Sequence, residues 1–192
     1  MSDVLELLAA SRLLPLVTVD DPRDADAVAD DLVDRGLPVV EVALRTHAAV
    51  EAIARMADRG DVLVGAGTVR DVGQVDAVVR AGARLVVSPG TSRAVVERCL
   101  ELDIPVLPGV LTPTEVLAAL DLGLSVLKFF PAAAAGGVAA VRALGGPFPD
   151  VRLVPTGGIG PDTAGDYLAL PNVLAVGGSW MVGPDGREGA PC

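Results

Sequence analysis

Eight short runs rich in Val, Leu and Ile recur along this 192-residue chain, with starts 20 to 26 residues apart. They are Leu13–Val19, Pro38–Leu44, Val62–Val69, Arg84–Ser88, Ile104–Val110, Ser125–Phe130, Val151–Thr156 and Val173–Val176. Most are apolar without alternation, as parallel strands covered on both faces are. Helical spacing between them predicts helices at Asp24–Arg35, Ala48–Arg59, Gln74–Ala81, Arg93–Glu101, Gly137–Leu144 and Asp162–Ala169. Thr112-Pro113-Thr114-Glu115 supplies a cap residue, a first-turn proline and an early acid for one more. Such alternation predicts a parallel α/β fold. Eight strands favour a closed (β/α)8 TIM barrel, with a doubly wound sheet as the alternative, since periodicity does not separate closure from an open edge. No linker interrupts residues 1–192, so a single domain is expected, just under the ~200-residue lower end of such barrels. A helix over Val4–Ala10 should cap the barrel's base. Beyond Trp180 the Gly- and Pro-rich Met181–Cys192 leaves no room for a final C-terminal helix.

Composition excludes several functions. No run approaches the ~18 apolar residues of a membrane span, and the acidic start Met1-Ser2-Asp3-Val4-Leu5-Glu6 lacks a basic secretion region. A cytoplasmic protein with no membrane partner is expected. A net charge of −10 argues against general nucleic-acid binding but leaves an anionic small substrate open. Cys99 and Cys192 form no ligand pattern. His47 is the sole histidine, a capping or surface residue, so neither a His-based metal cluster nor a Ser-His-Asp triad is available. No metal or cofactor is expected.

One residue breaks the apolar pattern. Lys128 is the only lysine against fourteen arginines, and it lies inside Leu124-Ser125-Val126-Leu127-Lys128-Phe129-Phe130-Pro131. Burial penalises an ammonium, and a neutral amine is the nucleophile of Schiff-base chemistry. A lysine whose head escapes to the sheet end or pairs with a carboxylate fits equally. Glu41 is a second polar residue in a strand; alternation puts Val39, Glu41 and Ala43 on one face. Beside Lys128 it would serve as general acid/base, and otherwise as a strand-end acid paired with an arginine. If the strand stays extended, Arg45 continues that face and could clamp a carboxylate, or it forms a surface ion pair.

In parallel barrels sites gather where strands end, and polar and glycine residues collect there in this chain. Gly65-Ala66-Gly67-Thr68-Val69-Arg70 is not a dinucleotide loop, since Arg70 stands at the third glycine's position. Its glycines make room at a crowded rim, and Thr68 offers a hydroxyl. Gly157-Gly158 and Gly177-Gly178-Ser179 follow the last two strands, where backbone N–H groups often hold a phosphate; tight turns would also explain each pair alone.

Together, Val40-Glu41-Val42-Ala43-Leu44-Arg45-Thr46, Gly65-Ala66-Gly67-Thr68, Ser88-Pro89-Gly90, Leu107-Pro108-Gly109, Lys128-Phe129-Phe130-Pro131-Ala132, Pro155-Thr156-Gly157-Gly158-Ile159 and Gly177-Gly178-Ser179-Trp180 resemble the 2-keto-3-deoxy-6-phosphogluconate (4-hydroxy-2-oxoglutarate) aldolase family, from Pro15 to Trp180. The resemblance implies a metal-independent class I aldolase of sugar-acid metabolism on a (β/α)8 barrel, commonly a homotrimer, yielding pyruvate and glyceraldehyde 3-phosphate. Lys128 resembles its Schiff-base lysine and Glu41 its general acid/base. Arg45 and Thr68 resemble the residues holding the pyruvate end, and Pro89 and Phe130 those lining the pocket. Thr156 would meet substrate hydroxyls; Gly157, Gly158, Gly178 and Ser179 would hold the phosphate. Two departures stand out: Ala133 replaces the family's usual acid, and the closing helix is missing. The alternatives are the galactonate epimer or unphosphorylated 4-hydroxy-2-oxoglutarate as substrate, an idle sugar-phosphate-binding or scaffold barrel, and a phosphosugar isomerase, which leaves Lys128 unexplained.

Overall fold

The computed structural model describes residues 3–182. Helix α1 (Asp3–Ser11) leads into strand β1 (Leu13–Val17), and strands and helices then alternate. The further strands are β2 (Val39–Ala43), β3 (Leu63–Gly67), β4 (Leu85–Val87), β5 (Val106–Leu107), β6 (Gly109–Val110), β7 (Val126–Phe129), β8 (Arg152–Pro155) and β9 (Val176–Gly178). The helices between them are α2 (Ala25–Asp34), α3 (Ala49–Arg59), α4 (Val72–Arg80), α5 (Arg93–Glu101), α6 (Pro113–Leu120), α7 (Gly137–Gly145) and α8 (Pro161–Leu168). Local chemistry sets several ends. Gly60 stops α3 at φ 73°, a left-handed cap that a side chain resists. Asp71 caps α4 through the Gln74 N–H, and Thr112 with Glu115 forms a reciprocal capping box on α6.

Six strands pair in the order β5-β4-β3-β2-β1-β9 and three in the order β6-β7-β8, each ladder parallel. The expected fifth strand, Ile104–Val110, is broken at Pro108, which has no N–H for a ladder. Its two halves serve different neighbours, β5 pairing with β4 and β6 with β7, while the Pro108 carbonyl accepts from Lys128 N at 2.9 Å. The last strand also shifts. It was expected at Val173–Val176, but Val173 makes only an isolated bridge to Leu153, and the ladder with β1 starts at Val176. The glycines Gly177 and Gly178 carry no apolar signal, which hid the strand. Arg12, at φ 59°, ties this region down: its Nη2 donates to Leu168 O and Val173 O at 2.8 and 3.2 Å.

Burial divides along each strand. Val40, Val42, Leu127, Phe129 and Leu153 belong to the large core between sheet and helices. Leu14, Val39, Leu85, Val87, Leu107 and Val154 form a second core with Val4 and Leu8 of α1. Parallel strands that share a second interior must curl around it, and α1 plugs its base. Val4 and Leu8, one turn apart, present a single face to that interior; replacing fully buried Leu8 by Ala should cost about 2–5 kcal/mol. The expectation of a missing closing helix concerns residues 183–192, outside the described residues; from Ser179 to Met181 the chain makes one 3-10 turn.

Candidate active site

Glu41 and Lys128 meet inside the curl. Glu41 sits mid-strand in β2, between Leu16 of β1 and Gly65 of β3, and is fully buried. Lys128 sits in β7 between Gly109 of β6 and Val154 of β8, 5% exposed. Its Nζ donates to Glu41 Oε1 at 3.2 Å. Glu41 Oε2 is buried with no hydrogen-bond partner among the described residues. The alternation expected of β2 holds, with Val39 in the inner core and Val40 and Val42 in the outer.

From this pair close contacts run both ways around the rim. On one side Gly67 packs on the Glu41 carboxylate. The next residue, Thr68, holds φ 60°, a left-handed conformation that strains a β-branched residue. On the other side lies Gly109, the register partner of Lys128; the Pro89 carbonyl sits so tightly against it that no Cβ fits. The Ser88 hydroxyl donates to Gly90 O at 2.8 Å and Thr91 to Gly109 O at 3.1 Å, which fixes the Pro89 turn.

Phe130 places its ring centroid 5.3 Å from Lys128 Nζ, a cation–π distance for a protonated amine. The same ring borders Gly157, where a Cβ would stand 3.2 Å from it. Gly157 and Gly158 hold φ 99° and 69°, open to glycine and costly for other residues. Two hydrogen bonds, Ala132 N to Thr156 O at 2.8 Å and Ala133 N to Gly157 O at 3.0 Å, zip the turn after Lys128 to this loop. Thr156 is buried, donates to Val154 O at 3.3 Å and leans on Gly177 of β9.

Contacts therefore join Glu41, Lys128, Pro89, Phe130, Thr156, Gly157 and Gly158, with Thr68 following Gly67 and Gly178 following Gly177. Arg45, exposed just beyond β2, and Ser179, beside β9, are positioned by their strands. His47 is exposed near this rim, as a surface residue should be. Two participants lie outside the expected set of site residues: Gly177, which accommodates Thr156, and Trp180, whose buried Nε1 stands over Gly178 with no hydrogen-bond partner among the described residues. A glycine beneath a polar side chain on the next strand was the available signal for the first. No group of three or more His, Cys, Asp or Glu stands close enough to hold an ion among the described residues. A groove of about 660 Å³ lined by Val4, Leu5, Leu63, Arg84 and Leu100 opens at the opposite, N-terminal ends of the strands.

Known proteins resemble this chain over most of its length. The family described as KDPG and KHG aldolase matches residues 4–188. A 2-dehydro-3-deoxy-phosphogluconate aldolase of Treponema pallidum is 46% identical over 183 residues, covering 95% of this chain and 87% of that protein. A KDPG aldolase of Legionella pneumophila, solved with pyruvate captured as a covalent carbinolamine, superimposes with a TM-score of 0.89 at 42% identity over 93% of this chain and 87% of that one. The 2-keto-3-deoxy-6-phosphogluconate aldolase of Zymomonas mobilis with 3-phosphoglycerate matches at the same TM-score and 40% identity, over 93% of this chain and 85% of that one.

Proposed function

Since the chain belongs to the KDPG and KHG aldolase family, we propose that its buried Lys128–Glu41 pair carries the Schiff-base cleavage for which the family is named. The protein is an aldolase acting on 2-dehydro-3-deoxy-6-phosphogluconate. The observation that carries the residue assignment is the 3.2 Å approach of Lys128 Nζ to Glu41 Oε1 in the buried interior.

Lys128, once it has given up its proton, attacks the C2 keto carbon. The carbinolamine loses water to leave a protonated imine, an electron sink. Glu41 takes the C4 hydroxyl proton as the C3–C4 bond breaks, and the bond's electron pair flows into the imine to form an enamine. Glyceraldehyde 3-phosphate departs. Protonation of the enamine at C3 and hydrolysis of the pyruvate imine release pyruvate and restore the lysine. General acid/base help of this kind contributes ~10²–10⁴ in rate.

Arg45 and Thr68 hold the pyruvate carboxylate, with Pro89 and Phe130 walling the reacting carbons. Thr156 meets the hydroxyls of the aldehyde portion. The phosphate goes to Gly157, Gly158, Gly178 and Ser179, whose backbone a ligand can approach closely for want of side chains. We infer further that residues 1–192 form one closed (β/α)8 barrel. The broken β5–β6 segment, which pairs with both sheets, and the Leu153–Val173 and Thr156–Gly177 bridges support closure. A cytoplasmic homotrimer completes the proposal, and sedimentation equilibrium tests the trimer.

Borohydride reduction in the presence of pyruvate, read by intact mass and peptide mapping, tests the chemistry. A stable adduct on Lys128 is expected. Folded protein that forms no adduct, or forms it elsewhere, overturns the assignment.

A further inference from the structure

Gly67 lies on β3, which pairs directly with β2, and its register partner is Ala43, two residues beyond Glu41. The Glu41 side chain therefore leans along its strand and comes to rest over the Gly67 backbone. A Cβ at position 67 would overlap Glu41 Oε1, the oxygen facing Lys128, and would stand 2.6 and 2.8 Å from the Glu41 Cγ and Cδ. Cβ atoms do not approach so closely, so the carboxylate would have to move.

The neighbouring glycine on the same face is different. A Cβ on Gly65 meets Leu85 and the Val40 carbonyl at 3.2–3.3 Å, a milder crowding that involves neither Glu41 nor Lys128. Nor does φ demand a glycine at 67, since only Arg12, Thr68 and Asp103 among non-glycines, and eight other glycines, have positive φ among the described residues. Room for Glu41 is what position 67 provides. On the far side of the curl Thr156 leans in the same way on Gly177, where a Cβ would overlap its Oγ1.

We propose that Gly67 is a positioning residue for proton transfer: its missing side chain is the seat of the Glu41 carboxylate, turning Oε1 toward Lys128 and leaving Oε2 for the reacting proton. This rests on Glu41 being the general acid/base. With Gly67 replaced by Ala the carboxylate is forced aside while Lys128 and the substrate-holding rim stay in place.

The test is a double-mutant cycle on the full chain, with kcat, KM and borohydride-trapping yield measured for each protein. Gly67→Ala is expected to lower kcat at least 30-fold with KM within threefold of the parent, and still to trap pyruvate on Lys128. Gly65→Ala should stay within about threefold on both constants. In a Glu41→Ala background, where nothing remains to displace, adding Gly67→Ala should cost less than threefold. Glu41→Asp, one methylene shorter, should partly rescue Gly67→Ala while impairing the parent. Gly67→Ala with parental kcat overturns the inference, as does an equal loss in both backgrounds. Circular dichroism separates these from misfolding; if Gly67→Ala alone does not fold, the same substitution is made in the Glu41→Asp background, where kcat within threefold of Glu41→Asp supports the inference and a larger loss overturns it. A fully active Glu41→Ala protein would instead remove the general acid/base assignment itself.

Discussion

Lys128 Nζ lies 3.2 Å from Glu41 Oε1 although β7 and β2 are not neighbours in either sheet. Only a sheet curled on itself brings these strands face to face. The pair thus reports on fold and chemistry together, and separating its two roles is the first task for mutation. Glu41→Gln, which keeps shape and volume, should fold normally and lose ~10²–10⁴ in kcat. Lys128→Ala should lose all turnover and destabilise by about 3–5 kcal/mol, because it strands a buried acid. The combination Lys128→Met with Glu41→Leu should regain most of that stability and remain inactive. Urea unfolding alongside aldol-cleavage assays distinguishes the three proteins.

Thr68 stores strain beside the pair. Releasing φ 60° with Thr68→Gly should raise stability by about 1 kcal/mol, the relief exceeding the added freedom of the unfolded chain. The lost hydroxyl should raise KM for the keto acid. Lower stability, measured as a reduced denaturant midpoint, would show that the threonine is comfortable where it is.

Gly158 combines φ 69° with a neighbour in Ala133, whose Cβ lies 2.7 Å from where a Cβ would stand. Gly158→Ala should therefore distort the loop after β8. We expect kcat/KM for the phosphorylated substrate to fall at least tenfold, and for 4-hydroxy-2-oxoglutarate to fall far less. Equal losses on both would remove the phosphate from this loop.

Acid should loosen α6. Burial pushes the Glu115 carboxyl up, but hydrogen bonds from the Thr112 and Leu111 N–H groups and the Thr112 hydroxyl outweigh it and hold it low. A depressed carboxyl stabilises the fold above its unfolded value of about 4.3 and loses that contribution as pH falls through the lower folded value. Glu115→Gln should cost under about 1 kcal/mol at neutral pH. Its difference from the parent should vanish in acid; a constant difference across pH would mean the charge is irrelevant.

Cys99 is buried, and burial pushes its thiol up to about 11. In a Cys192→Ser background, alkylation at neutral pH should be slow and should track unfolding of the core rather than reagent concentration. Rapid labelling of native protein would place the thiol nearer solvent than α5 allows.

The strands and helices were legible because their signals are local. Apolar runs gave seven of the eight expected strand positions, and glycines and caps gave the helix ends. Pro108 was misread as strand because a proline's missing N–H matters only once its neighbours are known. Gly177 was read as loop because its reason for being glycine, the Thr156 side chain, lies on another strand, and Gly178 because its own, the Trp180 ring, is set by the turn that follows. Lys128 and Glu41 could each be picked out as polar residues in apolar strands. Their meeting could not, since no local pattern tells how far a sheet curls. Gly67 shows the limit most clearly: the sequence marks a tight place there, and only the fold names Glu41 as the side chain that needs it.

Arg12 also bears on how the molecule is made. It reaches a carbonyl partner 161 residues further along the chain, at the same seam where β1 pairs with β9. On a ribosome β2 emerges early and satisfies one edge of β1. The other edge, with Leu13 and Leu14, stays open until Val176 has been synthesised, and an open parallel edge invites pairing with other chains. A nascent chain halted just short of that point has its helices and its lysine, yet nothing to close on. The enzyme's first strand is therefore among the last to be completed.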